Sequence, residues 1–250
     1  MSATLAVTDL GRRAYPEVLE LQRELCRQRM TGAAPDDVLL LVEHEPVVTL
    51  GRGTRATSLP LPPSDLLRRG VPVVEVERGG DVTYHGPGQL VGYPILDLGG
   101  HRRDLHWYLR TLEDVLILAL GRVGVEAERR PGLTGVWTAG RKIASIGIHV
   151  KQWVTLHGFA LNVTTDLSAF DLIVPCGIDN VVMTSVAEEL VRGDTAELER
   201  EVRHEVVRAF VEQFGYSRVE RRDGPPVSAG AGTGPPPSAL SRGPHPDRDP

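Results

Sequence analysis

Apolar and polar positions along the chain repeat in two periods, and the switches between them divide it into elements. From Tyr15 to Met30, Val18, Leu21 and Leu25 recur at helical spacing and predict an amphipathic helix, with Cys26 beside the stripe as a small core residue. Asp37 to Val42 is a continuous apolar run that reads as a buried strand. His44-Glu45-Pro46 interrupts it, and Val47 to Leu50 resumes before Gly51-Arg52-Gly53. Leu59 to Pro63 is a proline-broken loop, followed by a short helix from a Ser64 cap. Val73 to Val76 then predicts a strand that delivers a glycine-rich loop, Arg78 to Gln89, and Leu90 to Leu98 predicts the strand that leaves it. From Asp104, the positions Leu105, Leu109, Leu112, Leu116, Leu120 and Val123 mark a long helix.

Three strands follow at Thr134 to Ala139, Lys142 to Val150 and Trp153 to Val163, the last two joined by Lys151-Gln152. A two-residue hairpin there sets Val150 opposite Trp153 and Ser145 opposite Gly158. One face of that hairpin then carries Ser145, Gly147, Gly158 and Ala160, small residues where a sheet ordinarily buries branched ones. Such a face fits a slot for an extended apolar chain, or equally the close packing of another backbone. Asp166 to Leu172 is a short turn. Pro175 and Gly177 bend the chain around Cys176. One helix starts at Thr184 or Ser185 with Glu188 completing a capping box, and a last one from Asp194 or Thr195 carries Leu198, Val202, Val206, Phe210 and Phe214 to Gly215.

Beyond about Ser217 the composition changes, and eight of the 19 prolines fall after Gly224. Residues 216–250 therefore read as a disordered tail, and residues 1–215 as one domain, which the 250-residue length and 41% hydrophobic content allow. Removal of everything after Gly215 is expected to change little. A net charge of −5 argues against a nucleic-acid binder. With no charged-then-apolar leader and no apolar run long enough to span a bilayer, the reading is a soluble cytoplasmic protein without a membrane contact. Two cysteines without a CxxC exclude a disulfide framework and give no zinc motif, so no metal is expected.

Lysine usage supplies the chemical clue. Of 28 basic residues only Lys142 and Lys151 are lysines, and unlike a guanidinium an amine is able to give up its proton. A thiol attacks as its thiolate, and a nearby amine either takes its proton or stabilises the anion. Cys176 and Lys142 together therefore point to acyl transfer through a thioester, with backbone N–H groups near Cys176 or in the Gly79 to Gly88 loop worth about 3 kcal/mol each to an oxyanion. Gly135 to Lys142 departs from a Walker loop, because Arg141 stands where its lysine belongs. Strict alternation places Lys142 on the face opposite Ser145 and Gly147, so a bulge, or a loop position for Lys142, is required to bring them together.

Four blocks, Arg-Gly-Gly-x-x-Thr-Tyr-His-Gly-Pro-Gly-Gln at 78–89, Lys142 before Ile143-Ala144-Ser145-Ile146-Gly147, His157-Gly158-Phe159-Ala160-Leu161-Asn162 and Pro175-Cys176-Gly177, occur in one order. In these the chain resembles the lipoyl(octanoyl) transferases. The resemblance implies a single α/β domain of the biotin and lipoate protein ligase type, with a mixed β-sheet flanked by helices. It implies transfer of octanoyl from acyl carrier protein to Cys176, then to a lysine of lipoyl domains in 2-oxoacid dehydrogenase complexes or of the glycine cleavage H protein, without a cofactor. It assigns Cys176 as nucleophile and Lys142 as the residue that lowers its pKa. Substrate-binding segments correspond to Arg78, Gly79, Gly80, Asp81, Val82, Thr83, Tyr84 and His85, to Ser145, Ile146 and Gly147, and to Gly158, Phe159 and Ala160. The rival readings are an ATP-dependent lipoate or biotin ligase on the same fold and a non-catalytic acyl-protein binding module.

Overall fold

The strand β2 (Asp37–His44) is apolar at every position from Val38 to Val42, which demands cover on both of its faces. Leu39 and Leu41 meet one layer, built by helices α3 (Leu105–Val123) and α5 (Thr195–Phe214). Val38, Leu40 and Val42 meet the other, helix α1 (Tyr15–Thr31). The computed structural model describes residues 4–175, 181–192 and 195–223. Cys176, Gly177, Asp194 and the chain beyond Asp223 lie outside the described residues.

Strand β2 sits inside an eight-stranded mixed sheet, ordered β11-β1-β2-β6-β10-β9-β8-β7. Its other members are β1 (Thr4–Arg13), β6 (Gln89–Ile95), β7 (Glu128–Arg130), β8 (Leu133–Thr138), β9 (Arg141–Lys151), β10 (Val154–Asn162) and β11 (Arg218–Asp223). The β11-β1-β2 end is parallel and the remaining pairs are antiparallel. A second sheet of three strands, β3 (Val47–Leu50) between β4 (Val73–Glu75) and β5 (Val82–His85), has its own small core with Phe170 and Ile173. Short helices α2 (Pro63–Arg68) and α4 (Val186–Leu190) complete the framework. This is the expected class, a mixed sheet with helices on both faces.

Several sequence expectations shift. Strand β1 was not foreseen, because Gly11 at φ +61° and a register shift between Asp9 and Arg12 break its alternation. Residues Val82 to His85, read as part of a loop, pair antiparallel with β3. Helix α2 begins at Pro63 after Pro62 with no side-chain cap, so Ser64 is inside the helix rather than its cap. Asp104 does cap α3, its carboxylate accepting from Trp107 N at 3.0 Å. Cys26 is buried at the α1 face, where burial pushes its thiol pKa up, as suits a core residue.

The predicted hairpin register is also corrected. Val154 pairs with Lys151, Gly158 with Gly147 and Ala160 with Ser145. The turn is Gln152-Trp153, both at positive φ, the backbone a tight two-residue hairpin requires. Each residue meets a partner two positions from the expected one. Because side chains repeat every second residue, the same four small residues still share one face.

The boundary after Gly215 moves outward. Tyr216 is 6% exposed, and its hydroxyl donates to Asp37 Oδ2 at 2.8 Å. Strand β11 then pairs with β1 from Thr4↔Arg218 to Asp9↔Asp223. Local composition marks this segment as tail, but the unpaired edge of β1 gives it a ladder to join. Asp37 is the anchor, since its carboxylate also accepts from Arg29 Nε (3.1 Å), Asp97 N (3.0 Å) and His101 Nε2 (2.9 Å). Burial alone would raise its pKa. Hydrogen bonds from His101, Asp97 and Tyr216, with Arg29 alongside, hold it below the usual carboxylate value.

Two outcomes are expected. A chain ending at Gly215 should lose about 3 kcal/mol or more relative to one ending at Asp223, the scale of deleting a buried aromatic residue, measured by urea unfolding. Asp37→Asn should cost a similar amount at neutral pH. Because the folded pKa of Asp37 is depressed, its contribution is present above the unfolded carboxylate pKa of about 3.9 and disappears as pH falls through the folded value. The variant's stability should therefore decline less over that acidic window than the wild type's.

Candidate active site

The small-residue face of the β9–β10 hairpin becomes the wall of a cavity. It has a volume of about 270 Å³ and takes in Ser145, Gly147, Gly158 and Ala160. A Cβ at Gly158 would come 2.2 Å from Gly92 O, and one at Gly147 would come 3.0 Å from Arg78 Cδ, so neither position has room for a larger side chain. Beside them in the same sheet are Val91, paired with Ala160, and Tyr93 from β6, and Tyr15 from α1 with Thr83 and His85 from β5 also line the cavity.

Lys142 lies on the same wall, and a bulge puts it there. Val136 pairs with Ala144 but Trp137 pairs with Lys142, which leaves Ile143 as an extra residue in β9. Ile143 and Ala144 consequently both face the α3–α5 core, and the alternation changes phase between Lys142 and Ser145. Lys142 is 1% exposed; its Nζ donates to Thr134 O at 3.2 Å and lies 5.4 Å from the Trp137 ring centre.

The segment after Cys176 is tied to this strand. Lys142 N donates to Val182 O at 2.8 Å, and Thr184 N donates to Lys142 O at 2.9 Å. A hydrogen-bonded row connects that tie to the glycine motif. Arg78 Nη2 donates to Thr49 Oγ1 (2.9 Å), beyond which His85 Nε2 lies at 3.5 Å. His85 Nδ1 donates to Gln89 Oε1 (2.8 Å), Gln89 Nε2 to Asn162 Oδ1 (2.9 Å), and Asn162 Nδ2 to Thr184 O (3.0 Å). The tautomer follows from Gln89, whose amide nitrogen is committed to Tyr84 O and Asn162. Arg78 also donates to Asp81 O and Thr49 O, so its guanidinium is the frame of the loop.

The imidazoles and phenols around the cavity are held neutral. Burial, with His44 nearby, keeps the His85 pKa well below the usual imidazole value, and burial lowers His44 to about 4. Burial pushes Tyr15 up to about 12 and Tyr93 well above the usual phenol value. His157, at φ +57°, is lowered by burial although Glu77 stands 3.8 Å away. The arrangement is a narrow slot whose imidazoles and phenols are neutral, with the Arg78 guanidinium, Asp81 and the Lys142 amine at its wall. Among the described residues no cluster of potential metal ligands occurs, and no helix is long and apolar enough to cross a membrane.

Of the residues expected to bind substrate, Arg78, Gly80, Asp81, Val82, Thr83, His85, Ser145, Ile146, Gly147, Gly158, Phe159 and Ala160 line the cavity with Lys142. Gly79 and Tyr84 do not. Gly79 N donates to Ile148 O at 2.8 Å and fastens the loop to β9. Tyr84 points to the opposite side of β5 and packs edge-on against Phe170. Cys176 lies outside the described residues.

Comparison with known proteins agrees with this geometry. The family model described as "Lipoyl protein ligase A/B catalytic domain" matches residues 14–214. The octanoyltransferase of Gloeobacter violaceus is 52% identical over 201 residues, 80% of this chain and 86% of the relative. That of Solibacter usitatus is 54% identical over 197 residues, 78% and 88% of the two chains. The chain belongs to this family. Among solved structures, lipoate-protein ligase A bound with ATP superposes with a TM-score of 0.68 at 18% identity over 89% of this chain and 88% of that one. The bi-partite lipoate protein ligase of Thermoplasma acidophilum gives 0.67 at 18% identity over 89% and 86%. At that identity the likeness establishes the family's fold.

Within the family fold, Tyr15, Val91, Tyr93, Gly132, Leu133, Thr134 and His157 are cavity residues that sequence reasoning missed. Only His157, inside a quoted block, carried a local signal. Asn162→Ala should destabilise the protein by about 2–4 kcal/mol in urea unfolding, because it strands two buried partners, Gln89 Nε2 and Thr184 O.

Proposed function

We propose that the protein transfers an octanoyl group from the thioester of acyl carrier protein to Cys176, and from there to a lysine of a lipoyl domain. The observation that carries this reading is the run of octanoyltransferase relatives at about half identity over about four fifths of the chain. The narrow slot with Lys142 at its wall supports it chemically. Acceptors in this reading are the lipoyl domains of 2-oxoacid dehydrogenase complexes and the glycine cleavage H protein, and the site of action is the cytoplasm.

Lys142 takes the Cys176 proton, and the thiolate attacks the octanoyl carbonyl carbon. The tetrahedral oxyanion collapses and expels the carrier's thiolate, which recovers the proton from Lys142. The acceptor's neutral lysine amine then attacks the Cys176 thioester and forms the amide. Cys176 leaves as a thiolate, and the proton lost by the amine returns the Cys176–Lys142 pair to its starting state. Exchange between thioesters is nearly balanced and amide formation from a thioester is downhill, so no nucleotide is needed. Burying the roughly seven carbons beyond the carbonyl at ~0.8 kcal/mol each contributes ~5–6 kcal/mol to holding the chain. At about 270 Å³ the cavity is below the ~300–1,000 Å³ typical of drug-sized ligands, in keeping with a slender chain.

Mixing with octanoyl-acyl carrier protein should add one octanoyl mass to Cys176 in intact mass spectrometry. Cys176→Ser should form no such adduct and lower transfer at least ~100-fold. An adduct-free wild type that transfers octanoate only with ATP would establish the ligase, and tight binding without any mass change would establish a binding module. Lys142→Arg keeps a cation but accepts no proton, so it should slow acylation severely.

A further inference from the structure

Glu113 is a buried carboxylate on α3, 1% exposed, with no part in the steps above. Its Oε2 accepts from Arg110 Nη1 at 2.6 Å and Arg129 Nε at 2.9 Å. Its Oε1 faces the other way and accepts from Gly135 N at 3.1 Å. That N–H belongs to the peptide group whose carbonyl, Thr134 O, receives Lys142 Nζ at 3.2 Å. In a planar trans peptide the N–H and C=O point in opposite directions, so fixing one fixes the other. The Thr134–Gly135 peptide is therefore gripped by Glu113 on one side and presented to Lys142 on the other.

Gly135 is what lets this peptide turn. It adopts φ +124°, open to glycine alone. A Cβ there would lie 2.6 Å from Ala144 O and 2.9 Å from Lys142 Cε, in the space the lysine stem occupies. The same freedom leaves the peptide able to rotate once its N–H loses its anchor.

We infer that Glu113 is a positioning residue, which orients the Thr134–Gly135 peptide so that its carbonyl holds the Lys142 amine at the cavity wall. The inference rests on the reading of Lys142 as the proton acceptor. A displacement of about 1 Å at such a group is enough for losses of up to ~100-fold. The carboxylate also polarises the peptide it accepts from, which strengthens the carbonyl as an acceptor.

Three variants separate positioning from packing. Glu113→Ala removes the grip, and Glu113→Asp keeps the charge for Arg110 and Arg129 but withdraws the carboxylate by one methylene from Gly135. Arg110→Ala breaks a half-exposed ion pair and leaves the Gly135 bond in place. In steady-state octanoyl transfer, Glu113→Ala and Glu113→Asp should both lower kcat at least ~10-fold, with KM for octanoyl-acyl carrier protein changed less than ~2-fold. Arg110→Ala should stay within ~2-fold of wild type in kcat. Should the alanine variant not fold, the aspartate variant decides. Wild-type kcat in a folded Glu113→Asp protein, or an equal loss in Arg110→Ala, overturns the inference. Lys142→Arg is assayed alongside: if it transfers as fast as wild type, the role of Lys142 fails and this inference with it. If it is slow and Glu113→Asp is not, only the positioning role fails.

Discussion

One extra residue in a strand arranges the chemistry of this protein. Without the bulge at Ile143, the amine of Lys142 would point into the α3–α5 core, on the far side of the sheet from Ser145 and Gly147. With it, two successive residues, Ile143 and Ala144, take up the core positions and the lysine passes to the cavity side. A bulge leaves one residue out of the ladder and bends its strand, and here the backbone freed by that bend is taken up by Val182 and Thr184. The segment that follows Cys176 is thereby stitched to the residue proposed to activate it.

The motif-bearing blocks, scattered through the sequence, form one polar row in space. Arg78, Thr49, His85, Gln89, Asn162 and Thr184 run from the glycine loop to the backbone of Lys142, and burial keeps the imidazole in that row uncharged. A buried polar chain of this kind is costly when any member is left unpaired, so its value lies in fixing a single geometry.

The sheet accommodates a second buried anchor at the opposite end. Asp37 gathers α1, the Asp97 turn, His101 and Tyr216 around one carboxylate, and so connects the segment after α5 to the centre of the fold. Parallel addition of β11 to β1 pairs that strand on both sides and makes β11 the outermost strand of the sheet.

Periodicity alone determined the three long helices, most of the strands around the site and the small-residue face of the hairpin, because burial on one side or both writes itself into local spacing. The quoted blocks determined the family and most of the cavity. Sequence spacing could name the bulge only as one of two ways to turn Lys142 around, since pairing with β8 settles it. Tyr216 and β11 were hidden in a segment of tail-like composition, because their partners, Asp37 and β1, lie far back in the chain. Tyr15, Tyr93 and Glu113 carry no local signal at all. Their roles arise where layers meet, and a residue's neighbours across a layer leave no mark in the period of its own strand or helix.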